Sequence, residues 1–423
     1  MSVSKKLRNS LQIKITEIAG EGKNFGVAVS GGGDSIALLH FLLPWAKENE
    51  KKLFAVTVNH NLRPESSQEA ILVQELCAKY RINHSILDVN EEVSGNLQSW
   101  ARKNRYRLIS EWAAGNGIDS IFLGHTSDDQ AETFLLRLAR GSGVDGLSAM
   151  TSKSYRNRVY WLRPLLKTSR KDLRNFLDKE DIFYVNDPSN EDLRFDRIKV
   201  RKVLESSQEY GLETERLVET SHRMAQARDV LNYVAFQFAK KHVFLTKIGT
   251  VAIDLQDLEL LFPDTRYRIL SYVLKWVSGN PYGARAKTLE NTLVSAMEGK
   301  PRTCCGCVLS KFDEKLHISR EFNAVKKSDT LDNLWDGRWS CSNNFSIKAC
   351  GEKGLEQIID WKKFKLPRHA LLAMPTIWRD EKLFDHLLNE GHCSKIRSIK
   401  NDKDFYKGIL SCLLYTSPSP RDA

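Results

Sequence analysis

A short polar loop with three consecutive glycines stands near the start of the chain. It consists of Ser30, Gly31, Gly32, Gly33, Asp34 and Ser35. The apolar residues 26–29 precede the loop and the apolar residues 36–43 follow it, which is typical of a strand that leads into a helix. Because glycine has no Cβ, backbone N–H groups can turn inward around a phosphate, and the helix N-terminus adds partial positive charge. The loop therefore predicts a phosphate-binding site, with the hydroxyl groups of Ser30 and Ser35 as further donors.

The residues around the glycines exclude two common phosphate loops. The Gly-Lys-Ser/Thr ending of a P-loop is missing, and the Gly-x-Gly-x-x-Gly spacing of a dinucleotide site is not matched. Asp34 would repel a phosphate unless a cation lies between them, so it predicts a Mg²⁺ site that is completed by the phosphate. The alternative is a flexible turn in which Asp34 is only a helix N-terminal residue. The strand-loop-helix context favours the phosphate site.

A second polar segment follows the apolar residues 120–123. His125 comes at the end of that run, and Asp128, Asp129 and Glu132 fall in the first turns of the helix that follows. Because Asp129 and Glu132 are three residues apart, they share a helix face. Two carboxylates beside a phosphate loop can hold magnesium or an incoming ammonium group. The alternative is a set of acidic residues that merely favours a helix N-terminus, with His125 as an ordinary polar residue.

Strand-like and helical stretches alternate along the first two hundred residues, and they would position both polar segments. Short apolar runs predict buried strands at residues 26–29, 53–58, 85–89, 120–124 and 159–162. Helical periodicity covers residues 66–80 and 96–114. This alternation predicts an α/β fold with a doubly wound parallel sheet. Ligands of such folds bind at the carboxyl ends of the strands, which is where both polar segments fall.

The pattern changes beyond the α/β region, and we predict four segments. A catalytic domain is followed by a mainly helical domain, a small basic α+β C-terminal domain and a tail: residues 1–204, 205–328, 329–410 and 411–423. The helical domain carries long periodic stretches and a hairpin near residues 306–320. Residues 411–423 continue no pattern, so we expect a non-native tail and an incomplete C-terminal domain.

Composition limits the partners and the compartment. The formal net charge of +11 indicates a polyanionic partner, although a solubilising surface charge is an equal alternative. No signal-peptide pattern and no apolar stretch long enough to span a membrane occurs in the sequence, so no membrane partner is expected. The eight cysteines are too sparse for a disulfide scaffold, and we expect reduced thiols in the cytoplasm.

Several of these motifs resemble a known family. Ser-Gly-Gly-x-Asp-Ser after the first strand is similar to the PP-loop ATP pyrophosphatases, which cleave ATP between its α and β phosphates and transfer AMP to a substrate oxygen. Within that superfamily, residues 124–150 resemble the tRNA(Ile)-lysidine synthase family. Further matching pieces are residues 59–63, Ala101, Arg102, Arg105, Tyr106, residues 163–166, residues 187–190, Phe195, Arg197 and Arg201. They occur in the expected order over residues 24–204.

The resemblance implies a reaction in two steps. ATP first adenylates the C2 oxygen of the wobble cytidine in an isoleucine tRNA with a CAU anticodon. The ε-amine of free L-lysine then attacks that carbon and expels AMP, leaving lysidine. The modified base pairs with A instead of G, so the tRNA changes from methionine to isoleucine identity.

The resemblance also implies roles for the polar residues. The three glycines would bind the leaving pyrophosphate, and Asp34 would position its Mg²⁺. Three arginines would compensate negative charge that develops on phosphate, unless they are a basic surface that contacts the tRNA backbone: Arg105, Arg197 and Arg201. The substrate ammonium would be bound, and in part deprotonated, by carboxylates of the second segment: Asp128, Asp129 and Glu132. His125 would contact the adenylate.

Three other interpretations stay open at this point. A tRNA thiolase of the same superfamily would need paired cysteines near the ATP domain, and Cys77 is the one cysteine in the first 300 residues. An amide-forming synthetase would need a glutaminase segment, which the sequence lacks. A non-catalytic RNA-binding relative would be expected to carry a damaged loop or lost carboxylates. A homodimer is compatible with the sequence.

Overall fold

The computed structural model describes the chain in nine stretches, and every structural statement below concerns them. They are residues 3–62, 65–185, 196–280, 283–325, 330–331, 334–341, 345–379, 381–389 and 395–411. The chain forms two compact units, one up to Arg228 and the other over Asp229–Leu413. The predicted tail beyond residue 411 and the motif residues Arg63, 187–190 and Phe195 lie outside the described residues.

A six-stranded sheet forms the centre of the first unit. Its strands are β1 (Asn24–Ala28), β2 (Lys52–Asn59), β3 (Asn83–Asp88), β4 (Ser120–Phe122), β5 (Lys153–Arg156) and β6 (Val159–Leu162). Their order is β3-β2-β1-β4-β6-β5, with parallel pairing throughout except between β5 and β6. All five predicted strands are confirmed. The edge strand β5 was not predicted. Asn157 and Arg158 form the turn that joins it to β6, and both have positive φ. Because neither residue is glycine, the usual sequence mark of such a turn is missing.

Helices cover both faces of this sheet. The helices in chain order are α1 (Val3–Ala19), α2 (Gly33–Glu48), α3 (Glu65–Lys79), α4 (Leu97–Gly115), α5 (Ser127–Ala139), α6 (Val144–Leu147), α7 (Arg170–Lys179), α8 (Asp196–Ser207) and α9 (Thr214–His242). α1, α2, α3 and α7 share a core with one face of the sheet and α4 with the other, whereas α5, α6, α8 and the start of α9 pack on one another. Successive strand residues point to opposite faces. Phe122 therefore packs with Trp45 of α2, whereas its neighbour Ile121 packs with Ile109 of α4. The predicted doubly wound α/β fold is confirmed.

The second unit combines helices with a five-stranded sheet. Its helices α10 (Leu255–Glu259), α11 (Pro263–Ser278) and α12 (Ala286–Met297) share a core with β7 (Val243–Leu245), β8 (Val251–Asp254), β9 (Arg302–Cys304), β10 (Cys307–Phe312) and β11 (Lys315–Arg320). The sheet order is β7-β8-β11-β10-β9, and all its pairs are antiparallel. The helical middle and the hairpin β10–β11 are as predicted. The strands β7, β8 and β9 have three or four residues each, too few to show an alternating pattern.

The rest of the second unit carries short elements and two small sheets. They are α13 (Phe322–Val325), β12 (Thr330–Leu331), β13 (Leu334–Trp335), β14 (Trp339–Ser340), β15 (Ile347–Ala349), α14 (Gly351–Gln357), α15 (Arg368–Leu372), β16 (Pro375–Arg379), β17 (Lys382–His386), β18 (Arg397–Ser398) and α16 (Asp402–Ser411). The Tyr272 hydroxyl donates to the Phe405 carbonyl at 2.6 Å, so α16 docks on α11.

The division into compact units falls inside a helix. The unit boundary at Arg228 lies in α9, which runs without interruption from Thr214. The division predicted from the sequence, with boundaries at residues 204 and 328, stays a prediction. Within the described residues, no helix is both long and apolar enough to cross a membrane.

Candidate active site at the carboxyl edge of the parallel sheet

The order of the strands places the site. β1 pairs with β2 on one side and with β4 on the other, so the chain leaves the two central strands in opposite directions. Loops diverge at such a point and leave a crevice at the carboxyl ends of the strands. The two predicted polar segments follow β1 and β4, and they touch each other. A Cβ on Gly124 would lie 3.1 Å from the backbone carbon and oxygen of Asp34, so glycine permits this approach.

The glycine loop after β1 is held from within. Gly31 has a φ of +84°, a conformation that favours glycine, and its carbonyl accepts the Val185 N–H at 2.9 Å. The Ser35 hydroxyl accepts the Ser30 N–H at 3.1 Å and donates to the Gly32 carbonyl at 2.9 Å. The Ser30 hydroxyl lies 3.3 Å from that of Ser35, so both serine side chains brace the loop.

The start of α2 is left open for an anion. Gly32 is the N-cap of α2 and provides no side-chain hydrogen bond to the first turn. A Cβ on Gly32 would meet only the Ser30 hydroxyl, at 3.7 Å. The first N–H groups of a helix have no intrahelical acceptor and carry partial positive charge. The loop therefore has the geometry of a phosphate cradle.

The carboxylates of α5 are buried, and that of Asp129 is held by the start of its own helix. Asp129 is 6% exposed and Glu132 is 0% exposed. Asp129 completes a capping box, because its Oδ2 accepts the Thr126 N–H at 2.8 Å and the Thr126 hydroxyl at 3.0 Å. Asp128 points elsewhere, since its Oδ2 accepts the backbone N–H of Arg170 at 2.9 Å and so caps α7.

Arg170 joins the two polar segments, and sequence reasoning missed it. Its Nε lies 3.2 Å from Asp34 Oδ2, its Nη1 lies 2.7 Å from Glu132 Oε1, and its Nη2 lies 2.6 Å from Asp129 Oδ1. One guanidinium thus serves three carboxylates from two loops. A signal was available, because closely spaced buried carboxylates require a cation, and Mg²⁺ and the substrate ammonium are not the only cations that can supply it.

Two predicted arginines of α8 lie on the carboxylate side of the crevice. The Nε of Arg201 donates to Glu132 Oε1 at 2.6 Å. The Nη1 of Arg197 lies 3.8 Å from Asp129 Oδ1. The structure thus brings both arginines to the carboxylates of α5, and their predicted role toward phosphate remains a prediction.

The carboxylates differ in how readily they take up a proton. Burial and the nearby Asp129 and Asp128 raise the pKa of Asp34 to about 6, although Arg170 opposes the shift. For Asp129, burial would raise the pKa, but Arg170 leads the charges and hydrogen bonds that together lower it to about 2. Asp129 therefore stays ionised at neutral pH. Arg170 compensates the charge on Asp34 only in part, so a bound cation would stabilise it further.

The other two predicted catalytic residues, His125 and Arg105, lie in a region of positive charge that also includes Arg102, Arg163 and Arg197 and is called the cationic pocket below. Burial, followed by the charge of Arg163, lowers the pKa of His125 well below its usual value, so the imidazole is neutral. Its Nδ1 is buried with no hydrogen-bond partner among the described residues. Part of the Arg105 side chain is exposed to solvent. The protein around it still removes water from the guanidinium, and this desolvation, followed by the charge of Arg102, lowers the pKa of Arg105. The pocket suits an anion.

The site fits a magnesium ion whose ligands would come partly from the protein and partly from the phosphates of the nucleotide. Among the described residues, a group of three side chains that could ligate a metal occurs in the second unit, at His242, Asp254 and Asp257. At Asp34 one carboxylate faces the phosphate loop and would supply one oxygen ligand. Mg²⁺ commonly takes one or two carboxylates together with substrate phosphates and water, which this arrangement allows.

Comparisons with known proteins agree with this geometry. A family described as the PP-loop domain matches residues 5–208. A tRNA(Ile)-lysidine synthase of Ruegeria pomeroyi is 36% identical over 92% of this chain and 94% of its own length. One from Wolbachia pipientis wMel is 34% identical over 84% of this chain and 86% of its own.

A solved structure shows a weaker likeness. The U34-tRNA thiolase NcsA from Methanococcus maripaludis is 17% identical, with a TM-score of 0.46 over 52% of this chain and 78% of its own. That likeness is too low to carry an argument. The extent of the sequence matches is decisive: the chain belongs to the tRNA(Ile)-lysidine synthase family, whose members are ligases.

Proposed function

We propose that the protein ligates free L-lysine to C2 of the wobble cytidine in a tRNA(Ile) with a CAU anticodon, through an adenylated cytidine. ATP would be consumed to AMP and pyrophosphate, and the tRNA would change from methionine to isoleucine identity. The observation that carries the proposal is a buried pair of carboxylates, Asp129 and Glu132, joined through Arg170 to the phosphate loop. An ammonium site beside an AMP donor is what a lysine ligase requires.

The phosphate loop would hold the pyrophosphate half of ATP. Open N–H groups at the start of α2 would bind phosphate oxygens, and Asp34 would supply an oxygen to Mg²⁺. The bound Mg²⁺ would neutralise charge on the phosphates. In the cationic pocket, Arg105 and the neutral His125 would face the nucleotide that becomes AMP, where fixed positive charge stabilises the transition state.

The carboxylates of α5 would hold the substrate lysine. Oε2 of Glu132 is buried and has no hydrogen-bond partner among the described residues, so it lacks a donor that an ammonium group can supply. Asp129 supplies a second negative charge nearby. Because its pKa is about 2, Asp129 is a weak base, and we assign it to binding the ammonium more than to removing its proton.

The chain offers little support for sulfur transfer. Cys77 is fully buried, and burial raises its pKa to about 11, so the thiol is a poor nucleophile. Lysine transfer also gives the carboxylates of α5 a role, as the site of the substrate ammonium, whereas thiolation gives them none. The predicted homodimer and cytoplasmic location stay predictions.

The test is a transfer assay with defined RNAs. Protein, ATP, Mg²⁺ and radiolabelled lysine are incubated with transcripts of tRNA(Ile) bearing CAU and of a methionine tRNA, and the RNA is digested to nucleosides. Label at the wobble position of the isoleucine transcript alone is expected. Asp129→Asn serves as the matched variant, because it keeps the size of the side chain and removes the charge.

Each rival predicts a different result in the same assay. A non-catalytic RNA-binding protein would bind the transcript without consuming ATP. A thiolase would consume ATP and tRNA without incorporating lysine. Absence of lysine transfer by folded protein that still forms AMP from ATP and tRNA would overturn the proposed function.

A further inference from the structure

Arg170 contacts two of the four carboxylate oxygens at the ammonium site, one on Asp129 and one on Glu132. Oδ2 of Asp129 is taken by Thr126, and its Oδ1 by Arg170 at 2.6 Å. Oε1 of Glu132 accepts from Arg170 at 2.7 Å and from Arg201 at 2.6 Å. Among the described residues, Oε2 of Glu132 is thus the one oxygen of this pair with no partner. Because Nη1 and Nη2 of Arg170 contact Glu132 and Asp129 at the same time, its guanidinium fills the space between the two carboxylates, and a substrate ammonium that bridges them there would take over contacts that Arg170 now makes.

The two carboxylates are held in place independently of Arg170. Thr126 fixes Asp129 through the capping box at the start of α5, and Arg201 fixes Glu132 from α8. Removal of the guanidinium would leave each carboxylate with a second anchor. The site between the two carboxylates would keep its geometry and its negative charge.

The side chain of Arg170 can leave without unfolding its helix. Its backbone N–H is bound to Asp128 Oδ2 at 2.9 Å, and Ser169 caps α7 through the N–H of Asp172. Its third contact, from Nε to Asp34 Oδ2, is the longest at 3.2 Å and points to the phosphate loop. A rotation of the side chain would thus free the ammonium place and keep the guanidinium close to the phosphates.

We propose that Arg170 is a positioning residue that stands in for the substrate ammonium: it occupies the place between Asp129 and Glu132 and yields it when lysine binds. The inference rests on the proposed function, since it names what fills the lysine site before lysine arrives. An uncompensated buried charge is strongly unfavourable. The exchange of the Arg170 guanidinium for the lysine ammonium avoids one, because the buried carboxylates keep a cationic partner throughout. It also ties lysine binding to Asp34, through the contact of the same guanidinium.

The test compares Arg170→Ala with the wild-type enzyme, using methylguanidine as a probe. The wild type must expel its own guanidinium before lysine binds, and this lowers the apparent affinity. Arg170→Ala is expected to show a KM for lysine that is unchanged or about twofold to fivefold lower. Its kcat is expected to fall about 100-fold, because the carboxylates and Asp34 lose their shared partner. Methylguanidine should refill the vacated place and raise the apparent KM for lysine in the variant alone.

A control on the same helix separates this effect from a general loss of charge. Arg174 is exposed one turn further along α7, and Arg174→Ala should leave the KM for lysine, kcat and the methylguanidine response unchanged. If circular dichroism shows that Arg170→Ala does not fold, Arg170→Gln replaces it. The neutral amide fills the space, and the same competition is expected.

The outcomes decide between the inference and the function on which it rests. A KM for lysine that rises tenfold or more in a folded variant, with no competition by methylguanidine, would overturn the exchange. Calorimetric titration of methylguanidine into the variant and the wild type gives a reading that does not depend on lysine transfer. If the wild type transfers no lysine, the proposed function fails, whereas calorimetry still shows whether the vacated place binds a cation.

Discussion

Two buried ion networks, one in each compact unit, differ in how completely the oxygens of their carboxylates are hydrogen-bonded. In the second unit, both oxygens of Asp336 are taken, one by Arg320 at 2.6 Å and the other by Arg338 at 2.7 Å. Each arginine also donates to a backbone carbonyl. In the first unit, Arg170 is divided among three carboxylates, and Oε2 of Glu132 has no partner among the described residues.

The difference separates a network that supports the fold from one that supports binding. A buried polar atom without a partner costs about 1–3 kcal/mol, so the first network gives up stability that the second retains. That cost is offset when a ligand supplies the missing donor. Burial leads the causes that raise the pKa of Asp34 to about 6, and Arg170 opposes them only in part, so a bound cation would stabilise this carboxylate as well.

Neutralising one carboxylate in each network tests this difference most strongly. Asp336→Asn should destabilise the second unit by about 3–5 kcal/mol, because it leaves two buried arginines without their counter-charge. Glu132→Gln should instead cost lysine transfer about 3 kcal/mol, roughly 100-fold, with a smaller change in stability. Urea unfolding and the transfer assay measure the two effects. A Glu132→Gln protein that unfolds more readily than Asp336→Asn would break the comparison.

The close approach of the two loops gives the next largest effect. In Gly124→Ala the new Cβ would lie 3.1 Å from the backbone of Asp34, which must shift and carry the phosphate loop with it. We expect kcat/KM for ATP to fall about tenfold, since small displacements at a reacting centre are costly. Gly143→Ala is the control, because no atom lies within 4 Å of its added Cβ. Equal effects of the two substitutions would contradict the role of Gly124.

The sequence predicted the features that depend on neighbouring residues. The buried strands show as apolar runs, and the loop of residues 30–35 shows as glycines between a strand and a helix. The carboxylates of α5 were found because they lie within one helical turn of each other. Local periodicity and local spacing therefore gave the parallel sheet and the polar segments at its edge.

Features that depend on distant residues were missed. Arg170 lies 136 residues from Asp34 in the chain, so no local pattern connects them. The cap that Asp128 gives to α7 joins residues 42 apart, and it was not anticipated for the same reason. Such contacts follow from the order of the strands, which brings the start of α7 to the crevice.

The cap on α7 gives a smaller expected effect. Asp128→Ala removes the acceptor of the Arg170 N–H but leaves the N-cap Ser169, and loss of a carboxylate at a helix N-terminus costs about 1 kcal/mol. If Asp128 serves the helix more than the substrate, the KM for lysine should rise less than about threefold, far below the effect of Glu132→Gln. Thermal unfolding and lysine titration check the two parts. A rise in KM equal to that of Glu132→Gln would restore Asp128 to the lysine site.

The smallest expected effect is the titration of one phenol in the cationic pocket, that of Tyr106. Burial would raise the pKa of Tyr106, but Arg102 and Arg163, both close to its hydroxyl, lead the positive charges that lower it from 10 to about 7. Because the folded pKa lies below the unfolded one, the stabilisation from this group grows as pH rises from about 7 toward 10. It is lost as pH falls through 7.

Ultraviolet titration of the native protein should therefore show one tyrosinate near neutral pH, and Tyr106→Phe should abolish it. The assignment fails if the native protein shows no tyrosinate below pH of about 9, because the arginines would then not act on the phenol. The result matters for the comparison of the networks. A phenolate at neutral pH would mean that this pocket, like the carboxylate cluster, holds more charge of one sign than its partners compensate. The same crevice would then carry an unmet demand for a cation on one side and for an anion on the other, as a lysine and a nucleotide together require.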